Sequence, residues 1–286
     1  MPIMDQSIIM NELLAYLGPR GTYTEQAALN YSSSATLKPF PSISEVVRTV
    51  ASHEAAEGII PIENSLFGSV TETLDLLIRE PKLAIRNEIV IAIQHCLIVS
   101  SSHKEQEIHR IYSHPQALGQ CSDFLKNNFP EAQLIATLST SAAVEQVMTQ
   151  DGDSAAIGPE RAALINGATV VKKGIQNNPY NVTRFIVIAD SDHPPTGNDK
   201  TSICFSFAED KPGLLNTVLL SIAAKGVNLS KIESRPTGKI LGEYYFLIDL
   251  NGHRQEANVA KLIAEITPAS SLLRIFGSYP ATEIKR

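Results

Sequence analysis

Five short apolar runs, at residues 13–17, 58–60, 108–112, 134–137 and 155–157, are each followed by a stretch with apolar residues at helical spacing, as at Val70, Leu74 and Leu77. Strands alternating with helices imply an α/β architecture, with a mostly parallel sheet covered on both faces. The run 88–99 is too long for one such strand. It suits a segment crossing between two lobes.

The pattern changes after Ala189. Residues 190–200, DSDHPPTGNDK, are polar, with two prolines and a glycine, which is linker chemistry. Beyond them a strand is expected at 201–207 and a helix at 213–225, closed by Gly226 at its C′ position. Strands at 228–234 and 243–250, a helix near 257–266 and a strand at 272–276 complete the order βαββαβ, the ferredoxin-like plan. Two domains follow from this, 12–190 and 200–280.

Composition narrows the function. A chain of 286 residues, 43% apolar and 19% charged, has a real core. Its net charge of -6 argues against nucleic acid or an anionic membrane as the main partner. Asp5 and Glu12 precede the first basic residue, Arg20, and no apolar run approaches the roughly 18 residues of a membrane span. The expectation is a cytoplasmic protein. Cys96, Cys121 and Cys204 are far apart in apolar surroundings, and the seven histidines lack ligand spacing, so neither a disulfide framework nor a metal site is indicated.

In open α/β sheets, ligands bind where strands feed helices, at free backbone N–H groups. Four such junctions are unusually polar: 18–25, with Thr22 and Glu25 at capping-box spacing; 61–68, with Glu63, Asn64 and Ser65; 113–116, with His114 and Gln116; and 139–141. Ser, Thr and Asn cap helices for structural reasons alone, and His114 before a proline suits a turn. Capping, however, needs only one of Glu63, Asn64 and Ser65. Together the junctions suggest a hydroxyl-rich site for a small anion. Thr183 and Arg184 stand at the mouth of an apolar strand, with no histidine or cysteine nearby in sequence.

These residues resemble those of prephenate dehydratases. The resemblance runs through Tyr16-Leu17-Gly18-Pro19, Gly21-Thr22-Tyr23-Thr24, Pro61-Ile62-Glu63-Asn64-Ser65, His114-Pro115-Gln116-Ala117-Leu118 and Asn181-Val182-Thr183-Arg184-Phe185. After the linker, Pro212-Gly213-Leu214-Leu215 and Glu233-Ser234-Arg235-Pro236 resemble an ACT domain. Asn216 departs from the apolar residue usual at its position, which bears on effector binding. The resemblance implies a two-lobed catalytic domain similar to type II periplasmic binding proteins, with 88–99 and 173–183 as its two crossings, followed by a regulatory ferredoxin-like domain. The implied reaction is the decarboxylative dehydration of prephenate to phenylpyruvate, without a cofactor and with phenylalanine as inhibitor. Thr183 would assist the leaving hydroxyl. Substrate binding would fall to Arg184, Phe185, Asn181, Asn64, Ser65, Thr22, Tyr23, His114, Gln116 and Ser141. Glu63 would either touch substrate or orient Arg184 or Thr183. Phenylalanine would meet Gly213, Leu214, Leu215, Asn216, Glu233, Ser234 and Arg235. ACT domains pair, so a homodimer or homotetramer is implied. No chorismate mutase helices precede Leu13, which reads as a monofunctional enzyme. Rival readings are an arogenate dehydratase and a non-catalytic amino-acid-binding or sensing protein.

Overall fold

The first lobe is built from β1 (Leu13–Leu17), α1 (Tyr23–Tyr31), β2 (Thr36–Phe40), α2 (Ile43–Ala51), β3 (Glu57–Asn64), β4 (Gly68–Ser69), α3 (Thr71–Arg79) and β5 (Ala84–Ala92). The chain crosses to a second lobe with β6 (Cys96–Val99), β7 (Arg110–Ser113), α4 (Pro115–Gln120), α5 (Ser122–Asn128) and β8 (Gln133–Ala136). That lobe ends with α6 (Thr140–Val147), β9 (Ser154–Gly158), α7 (Glu160–Asn166) and β10 (Thr169–Lys173), and β11 (Val182–Ala189) returns to the first. A third unit holds β12 (Asp199–Phe207), α8 (Leu214–Ala224), β13 (Leu229–Pro236), β14 (Tyr244–Asn251), α9 (Ala257–Ile266) and β15 (Ser270–Pro280). The computed structural model describes residues 13–101, 108–150, 152–209, 211–238, 240 and 242–282. Among the described residues no helix is long and apolar enough to cross a membrane.

Each lobe has one sheet, ordered β2-β1-β3-β11-β5 (with β4 on β3) and β10-β6-β9-β7-β8. They are mixed, which corrects the expectation of mostly parallel sheets. β1 is parallel to β2 and β3, but β11 is antiparallel to β3 and β5, and β6 is antiparallel to β9 and β10. The crossings are the cause. β5 leaves the first lobe where β11 enters it, with Ala92 beside Val182, so the two must run in opposite directions. The long apolar run therefore divides at residues 93–95, and the return passes through 174–181. The crossings bind each other, Ile93 N to Asn181 O at 2.8 Å and Ile175 N to His95 O at 3.1 Å.

Strand alternation assigns the faces of the first sheet. Leu14, Tyr16, Phe185 and Val187 pack with Ala27 and Ala28 of α1. Ala15, Ile186 and Ile188 pack on the other side with Val46 and Val50 of α2 and Leu74 and Leu77 of α3.

The third sheet, ordered β13-β14-β12-β15, is antiparallel, and one face carries α8 and α9 through Val218, Ile222, Val259 and Leu262. Gly226 ends the turn after α8 at φ 65°, as its position in the sequence requires. The opposite face docks onto the first lobe: Cys204, Leu247, Phe276 and Tyr279 share a core with Ile85 and Ile186. The expected linker runs only to residue 198, since Asp199 and Lys200 already belong to β12, and it is pinned by His193 N to Ser278 O at 3.0 Å. At the junction Gly277 has φ 148°, and a Cβ there would strike the Ile85 backbone. Gly277→Ala is expected to lower stability by at least about 1–3 kcal/mol, the range for overpacking, as read by denaturant unfolding.

Candidate active site

A cleft of about 920 Å³ lies between the lobes. The first lobe contributes Thr22, Tyr23 and Thr24 at the start of α1, with Asn64, Thr183 and Phe185. The second contributes His114, Gln116, Gln120 and the Ser139, Thr140 start of α6, while Ile93 and His95 come from a crossing. Among the described residues no Asp, Glu, Lys or Arg lines it. What the cleft offers an anion is neutral donors and helix N-termini, those of α1 and α6 among them. Thr22 caps α1 by accepting Glu25 N at 3.3 Å, and Ser139 caps α6 by accepting Ala142 N at 3.0 Å. The other N–H groups of each first turn have no intrahelical acceptor, and the helix dipole favours negative charge there.

The capping box is half formed. Glu25 does not return to Thr22 N; its carboxylate accepts from Gly21 N at 2.8 Å and from Arg161 Nε of α7 at 3.0 Å, tying the two lobes together. Burial pushes this carboxyl up, but those donors more than reverse it and hold it below the usual value.

Asn64 Nδ2 donates to Thr183 Oγ1 at 2.9 Å and to Asn181 Oδ1 at 2.8 Å. Its Oδ1 accepts from Leu66 N and Phe67 N at 3.0 and 3.2 Å. With the Thr183 oxygen accepting from Asn64, the threonine O–H is the group left to donate into the cleft. Asn64 is itself occupied on both sides and positions Thr183, where substrate contact was expected.

Several residues are placed elsewhere than the sequence reading had them. Arg184 is turned away: its neighbours Thr183 and Phe185 face the cleft, so pleating sends its guanidinium to the opposite face. There Nη1 meets Asp249 Oδ2 of β14 at 2.7 Å and Glu88 Oε2 at 3.6 Å. Glu63 lies on that side too, 3.2 Å from Lys231 Nζ of β13. Ser65 Oγ accepts Val182 N at 3.0 Å and closes the sheet end outside the cleft lining. Asn181 is buried behind the wall. Ser141 is also buried, and its hydroxyl has no partner among the described residues. His114 lines the cleft and caps α4, accepting from Gln116 N at 3.3 Å.

His95 and Gln120 are among the lining residues that escaped the sequence reading. His95 Nε2 is 2.7 Å from Gln120 Oε1, which also accepts from Asn181 Nδ2 at 3.1 Å. An amide oxygen only accepts, so His95 carries its proton on Nε2, with Nδ1 3.3 Å from the Tyr23 hydroxyl. Burial lowers the His95 pKa and raises that of Tyr23, which favours a neutral imidazole and a protonated phenol. The polar pair Gln94-His95 inside an apolar run was the available signal for His95. Gln120, the last residue of a short helix, carried none.

The C-terminal domain has its own cavity of about 800 Å³, lined by Gly213, Leu214, Leu215 and Asn216 together with Phe207 and Tyr245. Glu233 and Arg235 do not reach it within this chain. They share the β13 face that meets the first lobe, where Arg235 grips Asp75 with two bonds of 2.7 Å and Ser69 Oγ donates to Glu233 at 2.5 Å. Ser234 is exposed on the other face.

The profile of the prephenate dehydratase family matches residues 14–193, and that of the ACT domain matches 202–267. The bifunctional chorismate mutase/prephenate dehydratase of Aquifex aeolicus is 40% identical over 268 residues, 93% of this chain and 73% of that protein. The prephenate dehydratase of Lactococcus lactis is 33% identical over 272 residues, 93% of this chain and 96% of that one. Among solved structures, prephenate dehydratase from Arthrobacter aurescens in complex with L-Phe superposes with a TM-score of 0.86 at 35% identity, covering 94% of this chain and 90% of that one.

Proposed function

The chain belongs to the prephenate dehydratase family, and from that premise we propose that its cleft converts prephenate to phenylpyruvate, carbon dioxide and water. The observation that carries the reading is the Thr183 hydroxyl, held by Asn64 with its proton free, in a cleft lined by neutral groups. The bond from the ring to its carboxylate breaks and carbon dioxide leaves. The released electron pair moves through the ring diene and expels the hydroxyl on the opposite carbon, which takes a proton and departs as water. Aromatisation drives the step. Thr183 donates to the departing oxygen as charge builds on it, a task suited to a weak acid acting in concert. The N-termini of α1 and α6 hold the carboxylates of the diacid, the role first given to Arg184. Phe185 packs beneath the ring.

Phenylalanine is the effector on this reading, bound in the cavity around Gly213 and Asn216, with Ser234 available to a neighbouring chain. The protein works in the cytoplasm as a homodimer or homotetramer. Inhibition has a physical route. The C-terminal domain holds the strand of Thr183 through Arg184 and Asp249, and the hairpin after Asn64 through Ser69 and Glu233. By linkage, prephenate must weaken phenylalanine binding by the factor that phenylalanine weakens prephenate binding.

The test is an ultraviolet assay of phenylpyruvate from prephenate, run with a chelator and with phenylalanine. Turnover is expected to survive the chelator and fall with phenylalanine. Activity lost to chelation and restored by a divalent ion would overturn the metal-free chemistry. Arogenate in parallel separates the rival substrate: a chain that turns over only arogenate is not a prephenate dehydratase.

A further inference from the structure

Gln120 belongs to the second lobe, yet its side chain is bonded to both crossings. Its Oε1 accepts from His95 at 2.7 Å in the outgoing crossing and from Asn181 at 3.1 Å in the returning one. Asn181 passes the constraint on: its Oδ1 accepts from Asn64 Nδ2 at 2.8 Å, the nitrogen that also donates to Thr183 Oγ1 at 2.9 Å. An amide nitrogen has two hydrogens. The two shortest contacts of Asn64 Nδ2 are Asn181 Oδ1 and Thr183 Oγ1, with the Val182 carbonyl farther at 3.2 Å, so the bond to Asn181 turns the second hydrogen toward Thr183.

We propose that Gln120 is a positioning residue for the dehydration, setting the Thr183 hydroxyl from the opposite lobe through Asn181 and Asn64. The inference rests on the reading of Thr183 as the proton donor. Its consequence is that the reacting hydroxyl is aligned only while the two lobes hold this arrangement. If the second lobe swings away, Asn181 loses its acceptor, and the amide that orients Thr183 loses its support. Asn181 is buried among protein partners, so its part in the relay is distinct from substrate contact.

The test is a double-mutant cycle on prephenate turnover with Gln120→Leu and Thr183→Ala, each variant checked for native unfolding behaviour. Gln120→Leu is expected to lower kcat by about 10–10²-fold, the scale of a small misplacement of a reacting group, with a smaller change in KM. The double variant is expected to be no slower than Thr183→Ala alone, because both act on one step. Gln120→Glu, which keeps an acceptor for Asn181 and His95, should recover most of kcat. Asn181→Ala enters the same cycle as a second variant and should show the same non-additivity. Losses that multiply, or a kcat for folded Gln120→Leu within about twofold of the parent, where the relay requires about 10-fold or more, would overturn the relay while leaving the enzyme reading intact. A wild-type chain inert to prephenate overturns that reading and the relay with it.

Discussion

Thr183→Ala is expected to lower kcat for phenylpyruvate formation by about 10²–10⁴, the range for losing a positioned proton donor. The basis is the bond from Asn64 to Thr183 Oγ1, which leaves the hydroxyl proton directed at the cleft. Thr183→Ser keeps the donor but loses the methyl that restricts its rotamer, so it should retain more activity than the alanine variant. Binding should change less than rate, because the interaction strengthens as the ring hydroxyl departs. If Thr183→Ala stays within a few-fold of the parent, the threonine is not the donor.

The second large effect is on stability. Arg184 and Asp249 join the lobe that carries Thr183 to the C-terminal domain, and both side chains are largely buried, 12% and 7% exposed. Asp249→Ala would leave the guanidinium in that interface without its main partner. Losing one member of a buried pair costs about 3–5 kcal/mol. The lower end is expected here, because Glu88 at 3.6 Å and Glu63 at 3.8 Å still face Arg184. Denaturant unfolding reads the loss, and a change below about 1 kcal/mol, the scale of an exposed pair, would show that the pair is not a stabilising contact. The pH dependence has a definite sign. Burial alone would raise the Asp249 carboxyl, but the Arg184 guanidinium and the Ser202 hydroxyl more than reverse this and hold it below the usual aspartate value. A depressed folded pKa contributes stability that is complete above the unfolded value, near pH 4, and disappears as the pH falls through the folded value.

Arg184 also marks where sequence reasoning reached its limit. Thr183, Arg184 and Phe185 are contiguous, and contiguity suggested one shared site. On a strand, however, neighbours point to opposite faces, so placing Thr183 and Phe185 at the cleft already commits Arg184 to the back. The same alternation on β13 carries Glu233 and Arg235 to the first lobe and leaves Ser234 outside. The C-terminal fold was legible because its alternating strands, helix periods and closing glycine all agree. The outgoing crossing was legible from run length, while the polar return at 173–183 followed only from the family resemblance. β2 and β10 were not anticipated: both are exposed edge strands without an apolar face. His95 and Gln120 become partners only after the chain has crossed between lobes, and no spacing rule records that.

Loss of carboxylate and hydroxyl together in one cleft fixes the stoichiometry of the reaction. Prephenate consumed, phenylpyruvate formed and carbon dioxide released are measured in one reaction of the purified chain. The three are expected to rise in equal amounts from the first turnovers. Prephenate left unconsumed, or consumed without matching carbon dioxide, would contradict it.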